Sequence, residues 1–246
     1  MILPKSEDAI HKAQLLRLLT EILDDIFISP RVFFKGGTAA SMLGFLDRFS
    51  IDLDFDLKGG TDKTTLNKHL AKIFKEIDLE LKQKSSRSLF YLLKYQSERA
   101  ARNTIKLSIV DDIVTANEYS FYYLPEIDRY SQCQTKETMF ANKLVAITDR
   151  YKKHKTIAGR DIYDIHYFFI QGYKYNHAVI EERTGKNVLN YFKYLLDFIE
   201  KKVTAKVITE NLGFLLEPKK FQLMRKVLKQ ETLMLLRDEI RRLIEV

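Results

Sequence analysis

Between Phe34 and Leu57 the chain reads FKGGTAASMLGFLDRFSIDLDFDL. Three aspartates, Asp52, Asp54 and Asp56, stand at alternate positions, interleaved with Leu53 and Phe55 and flanked by Ile51 and Leu57. Successive side chains of a strand point to opposite faces, so the apolar residues gather on one side and the carboxylates on the other. Burial of the apolar side fixes the register and holds the acids together. Hard carboxylate oxygens at i and i+2 suit a pair of divalent cations, the arrangement that clamps both oxygens in phosphoryl transfer. The same spacing opens a calcium-binding EF-hand loop. Here, however, the sixth position is Leu57 rather than glycine and the twelfth is Lys63 rather than glutamate.

Upstream, Gly36-Gly37 ends an apolar run and is followed by Thr38. A strand, Gly-Gly-Thr and a helix form a context in which phosphate oxygens approach main-chain N–H groups at the positive end of a helix. No GKS/T follows and no GxGxxG is present, so this is neither a Walker loop nor a dinucleotide fingerprint. Lys35 and Thr38 flank the turn as candidate phosphate contacts. Arg48 and Ser50 precede the aspartates, where Arg48 either binds phosphate or pairs with Asp47.

A second group lies downstream. Lys143 and Arg150 are i and i+7, on one helix face about 10.5 Å apart, with Ala146 between them leaving room for a ligand. Two cations at that spacing suit a triphosphate and its departing pyrophosphate, or are two solvated basic residues. Asp161 and Asp164, at i and i+3, either orient those cations, act directly, or cap and salt-bridge a helix start.

The elements that must hold these residues follow from apolar spacing. Residues 5–27, with Ile10, Leu15, Leu16, Leu19, Ile22 and Leu23, read as an amphipathic helix broken by Ser29-Pro30. Residues 31–35 form a strand, Thr38 caps a helix through Leu46, and 51–57 is the aspartate strand. Thr61 and Asp62 are candidate caps for a helix to about Ile77. Segments 79–83, 88–96 and 103–110 read as antiparallel strands. Beyond residue 136 the spacing turns helical, over 136–152, 160–170, 187–203, 205–213, 217–229 and 231–245. The fold class expected is α+β: a mixed sheet with flanking helices over residues 1–135, then a helical, basic domain over 136–246.

The 246 residues, 46% hydrophobic, have no apolar run of membrane-spanning length and no signal-peptide pattern at the N-terminus. One cysteine, Cys133, excludes an internal disulfide and a multi-cysteine zinc site, and a cytoplasmic location is the expectation. Residues 1–150 carry 22 basic and 21 acidic side chains, residues 151–246 carry 19 and 12. A basic half beside a carboxylate-bearing half suggests an anionic macromolecule, foremost nucleic acid.

Together, the Gly-Gly-Thr turn, Arg48-x-Ser50-x-Asp52-Leu-Asp54-Phe, Lys143-x-x-Ala146-x-x-x-Arg150 and Arg160-Asp161-x-x-Asp164 resemble the nucleotidyltransferase toxins of the AbiEii/AbiGii type, within the polymerase-beta-like superfamily. The resemblance spans about half the chain. It implies a nucleotidyltransferase-like first domain in which Asp52 and Asp54 hold Mg²⁺ or Mn²⁺, with Asp52, Asp54, Lys143 and Asp161 catalytic. It further implies an NTP bound by Lys35, Gly36, Gly37, Thr38, Arg48, Ser50, Lys143 and Arg150. The NMP would pass to an RNA, a tRNA end or a protein hydroxyl, and a cognate antitoxin would be a partner. The chain departs from the superfamily pattern at Ser108, where a third carboxylate is expected; either Asp111 or Asp112 substitutes from the strand end, or a water does the work. That departure leaves a catalytically silent nucleotide- or RNA-binding module as an alternative. A small-molecule nucleotidyltransferase is another, against which the basic second domain argues.

Overall fold

The computed structural model describes residues 1–85, 88–97 and 102–245. The chain divides into two compact units, one of residues 1–113 and 119–134, the other of 114–118 and 135–246. Among the described residues no helix is long and apolar enough to cross a membrane.

The first unit is α+β. It contains α1 (Asp8–Asp24), β1 (Val32–Lys35), α2 (Gly36–Met42), β2 (Asp52–Leu57), α3 (Lys63–Glu76), β3 (Glu80–Lys84), β4 (Leu89–Lys94), β5 (Thr104–Val110), β6 (Tyr119–Leu124) and β7 (Arg129–Gln134). The seven strands form one mixed sheet in the order β3-β4-β5-β2-β1-β7-β6. β1 runs parallel to β7 and β2 parallel to β5; the other neighbours are antiparallel. β2 thus lies at the centre, and its apolar residues Leu53, Phe55 and Leu57 are buried with Phe34, Leu107 and Ile109 on one face. Helix α1 packs on the sheet through Leu15, Leu18, Leu19 and Ile22, and Phe74 of α3 meets the Tyr91 ring edge-on. Asp62 caps α3, accepting from the amides of Thr64 (3.0 Å) and Thr65 (3.2 Å).

Three details of this unit differ from the expectation. Thr38, expected to cap a helix through Leu46, lies inside α2, which begins at Gly36 and ends at Met42. Ile10 is 47% exposed, while His11 is buried in its place. The pair β6–β7, unassigned in the sequence, forms the edge hairpin, turning through Asp128 in the left-handed region at φ 53°. The polar side chain of His11 is accommodated by partners: Nε2 lies 3.0 Å from the Ile51 carbonyl, and Nδ1 lies 2.8 Å from the Tyr95 hydroxyl.

The second unit is helical: α4 (Lys136–His154), α5 (Gly159–Ile170), α6 (His177–Thr184), α7 (Val188–Lys202), α8 (Ala205–Leu212) and α9 (Pro218–Glu245). The two segments expected at 217–229 and 231–245 are the single helix α9, since no glycine or proline interrupts them. α6 escapes periodicity because it is short and weakly amphipathic; Asn176 caps it through the Val179 amide. Residues 114–118 join this unit because Glu182 accepts the amides of Thr115 (2.7 Å) and Ala116 (2.8 Å), and Thr135 donates to the Glu118 carbonyl (2.9 Å).

Burial pushes the His11 pKa down from 6.5 to about 4. Between those values the unfolded chain binds a proton that the folded chain refuses, so stability falls as pH drops through that window. The loss reaches about 3 kcal/mol by pH 4 at roughly 1.4 kcal/mol per unit. Urea denaturation at pH 7.5 and pH 4.5 should therefore show a smaller decline for His11→Gln than for the unaltered chain. Parallel declines would remove His11 from the account.

Candidate active site

The glycine turn and the aspartate strand are built against each other. Gly36 has φ +79°, and a Cβ there would fall 2.6 Å from Oδ2 of Asp54. A Cβ on Gly37 would fall 2.9 Å from both Arg48 Nη2 and Ser50 Oγ. A side chain at Gly36 is thus opposed by backbone conformation as well as space, whereas one at Gly37 would have to displace the Arg48 guanidinium and the Ser50 hydroxyl. The Thr38 hydroxyl donates to the Asp52 carbonyl (2.5 Å), and Ser41 Oγ donates to the Arg48 carbonyl (2.8 Å). Arg48 is 3% exposed, with Nη1 donating to the Phe49 carbonyl (2.9 Å). Of the expected site residues, Gly36, Gly37, Arg48, Ser50 and Asp54 thus meet in one cluster, with Thr38 joined to the backbone of Asp52.

Along β2 the three acids separate into two kinds. Asp52 and Asp54 are half-buried, whereas Asp56 is 1% exposed. Asp56 accepts from Lys35 Nζ (2.5 Å), Gln134 Nε2 (2.7 Å) and the Tyr119 hydroxyl (2.9 Å). Three donors satisfy a carboxylate that would otherwise be costly to bury, so Asp56 is a structural acid. Lys35, expected at phosphate, has its ammonium on Asp56. Gln134 and Tyr119 had no signal in local spacing, because β7 and β6 reach β1 only through the long-range pairing of Phe34 with Cys133.

The parallel pairing of β2 with β5 places Ser108 opposite Asp54 and Lys106 opposite Asp52, with directly paired residues on the same face. The hydroxyl of Ser108 therefore stands on the face where a third carboxylate would add a ligand. Asp111 is ion-paired with Lys63 at the surface, which holds its carboxyl below the usual range. Among the described residues no three His, Cys, Asp or Glu side chains are placed to share a metal. The remaining donor set, two hard carboxylates on one strand face, suits Mg²⁺, which takes one or two carboxylates and completes its shell with water and phosphate.

In the second unit, Lys143 Nζ lies 2.8 Å from Asp164 Oδ2, and Arg150 Nε donates to Asp161 Oδ2 (3.0 Å). Asp164 is fully buried and Asp161 is 2% exposed. The i,i+3 acids of α5 are thus ion-paired with the i,i+7 cations of α4.

A family model described as "Nucleotidyl transferase AbiEii toxin, Type IV TA system" matches residues 17–240. The chain belongs to the AbiEii family. Solved structures that share the fold of this AbiEii-family chain include the following three. JHP933 from Helicobacter pylori is 19% identical, with 99% of each chain covered and a TM-score of 0.54. A putative nucleotidyltransferase from H. pylori is 20% identical, with 97% of this chain and 98% of that one covered and a TM-score of 0.57. MenT4, a nucleotidyltransferase toxin from Mycobacterium tuberculosis H37Rv, is 14% identical, with 96% and 87% covered and a TM-score of 0.52. A comparison with curated proteins gives no match. The AbiEii family is one of nucleotidyltransferase toxins of type IV toxin–antitoxin systems, so an NTP substrate and an antitoxin partner go with membership.

Removal of Asp56 leaves the Lys35 ammonium partly buried without its carboxylate. Asp56→Ala should cost about 3 kcal/mol in urea denaturation, and Lys35→Met/Asp56→Leu should recover a large part of it. An undiminished midpoint in Asp56→Ala would refute the structural role. Gly36→Ala, strained in φ and driven into Asp54, should lower stability by about 2 kcal/mol.

Proposed function

We propose that this toxin is a divalent-metal-dependent nucleotidyltransferase that moves NMP from an NTP to an RNA acceptor, a tRNA end being one such acceptor. The observation that carries the reading is the contact between Gly36 and Asp54. It fuses a left-handed backbone turn, which glycine adopts without strain, to the carboxylate pair, so main-chain N–H groups and hard oxygens serve one ligand. In the reaction an acceptor hydroxyl attacks the α-phosphorus, the bond to the bridging oxygen breaks, and pyrophosphate leaves.

A divalent cation held by Asp52 and Asp54 would supply charge neutralisation at the phosphates and a lowered hydroxyl pKa. The amides of Gly36, Gly37 and Thr38 bind phosphate oxygens, and the Arg48 and Ser50 side chains pack the turn against β2. The Thr38 hydroxyl fixes the backbone of Asp52. Lys35 acts through Asp56, fixing the height of β1 against β2. The sequence pattern assigns Lys143 and Arg150 to the negative charge of the triphosphate and its leaving group, with Asp161 and Asp164 holding them oriented. With serine opposite Asp54, the hydroxyl proton passes to water or to one of the two carboxylates Asp52 and Asp54. The basic excess of the second half supports a polyanionic acceptor over a small molecule.

Ser108 also favours a second reading, a nucleotide-binding module without turnover. Incubation with α-labelled NTPs, Mg²⁺ and total RNA separates the two. Label should enter RNA, should vanish with EDTA and return with Mn²⁺, and should fall at least a hundredfold in Asp52→Ala/Asp54→Ala. NTP binding without transfer to any acceptor would establish the silent module. Lys143→Gln, which keeps a hydrogen-bond donor for the buried Asp164, should reduce transfer about a hundredfold at unchanged circular dichroism, the magnitude of losing one oriented cation at developing charge.

A further inference from the structure

The pairing register lets the aspartate face be followed across the sheet. From Asp54 the row runs through Lys35 on β1 to Gln134 on β7 and Tyr119 on β6; the next runs from Asp56 through Phe33 and Gln132 to Phe121. Beyond them Tyr130 is paired with Tyr123. Phe33 stacks on Tyr119 at 4.1 Å, and Tyr119 is bonded to Asp56, so the aromatic strip is continuous with the aspartate strand. Toward its far end the rings stand in solvent: Phe121 is 68% exposed, Tyr130 69% and Tyr123 44%, with the two tyrosine rings 5.2 Å apart. The hairpin's contribution to the core comes instead from buried Leu124 and Cys133. Tyr123 also donates its hydroxyl to Asp128 of the hairpin turn (2.8 Å), but the exposed ring faces lie outside the core, and exposed aromatics gathered on one face mark a binding surface.

We propose that Phe121, Tyr123 and Tyr130 form a stacking platform for single-stranded RNA, holding the acceptor nucleotides next to the reacting end; this rests on the reading of RNA as acceptor. Every base has a π-face, so aromatic side chains on a sheet bind single strands with little sequence preference. Three strand intervals separate β2 from β6, about 14 Å, a short reach for an extended strand. On the other side of the aspartates the same face carries Lys106 on β5 and Lys94 on β4, cations suited to a phosphate backbone. A bound peptide would most readily use the open main-chain edge of β6, whereas these rings present their surfaces on the face shared with Asp52 and Asp54.

The test uses the full chain and a fluorescein-labelled single-stranded RNA of roughly ten nucleotides of mixed sequence, read by anisotropy at low salt. Phe121→Ala/Tyr130→Ala should raise Kd about tenfold or more, from lost stacking on two rings. The ring-preserving Phe121→Tyr/Tyr130→Phe should stay within about twofold, and both variants should keep the unaltered NTP affinity and circular dichroism. Equal RNA affinity and equal KM for RNA in the alanine variant would overturn the platform while leaving the transferase reading in place. An unaltered chain that binds NTP but neither binds nor labels RNA would overturn both. A dimer of the unaltered chain that the alanine variant dissociates, with RNA affinity unchanged, would show a self-association surface and overturn the proposal.

Discussion

A carboxylate withdrawn from water must be surrounded by donors or be destabilising, and Asp56 is surrounded from three strands. Lys35 comes from β1, Gln134 from β7 and Tyr119 from β6, each within hydrogen-bond distance of one side chain on β2. The sheet on that side can close only with these strands in register. Asp54 and Asp52, two and four residues away, inherit their placement from it. The same requirement draws Lys35 into the sheet, where it positions β1 and brings the glycine turn onto Asp54.

The second unit uses the same physics in helices. Asp161 and Asp164 are nearly or fully buried in α5, and each lies on a cation of α4. A lysine or arginine held by a buried acid loses side-chain freedom before any ligand arrives, which reduces the ordering cost of binding an anion. Glu182 plays a comparable part for main-chain donors, gathering the amides of Thr115 and Ala116 into this unit.

What was legible in the sequence was local. Alternation over 51–57 yields the strand and its two faces, and helical spacing yields α1, α3, α4, α5 and α7 with small shifts at their ends. β6 and β7 were not legible, although Tyr119–Leu124 is rich in strand-forming aromatics, because their partner β1 lies about a hundred residues away. Ile10 and His11 exchanged places for a related reason: the sheet supplies a carbonyl and a hydroxyl at that point, and hydrophobicity alone does not register them. The motifs that mark the family were readable together because they combine residue type with fixed spacing, which local geometry preserves.

The sequence by itself determined that three acids share one strand face, that a glycine pair precedes them, and that two cations share a helix face. These follow from the periods of strand and helix, which need no knowledge of neighbours. Only the tertiary structure decided that Asp56 is structural, that Lys35 belongs to it, that Ser108 lies beside Asp54, and that an aromatic strip continues the aspartate face. Those facts depend on which strands pair and in which register. Pairing is set by burial of the whole apolar face and by satisfaction of buried polar groups, and neither is expressed in any single stretch of chain.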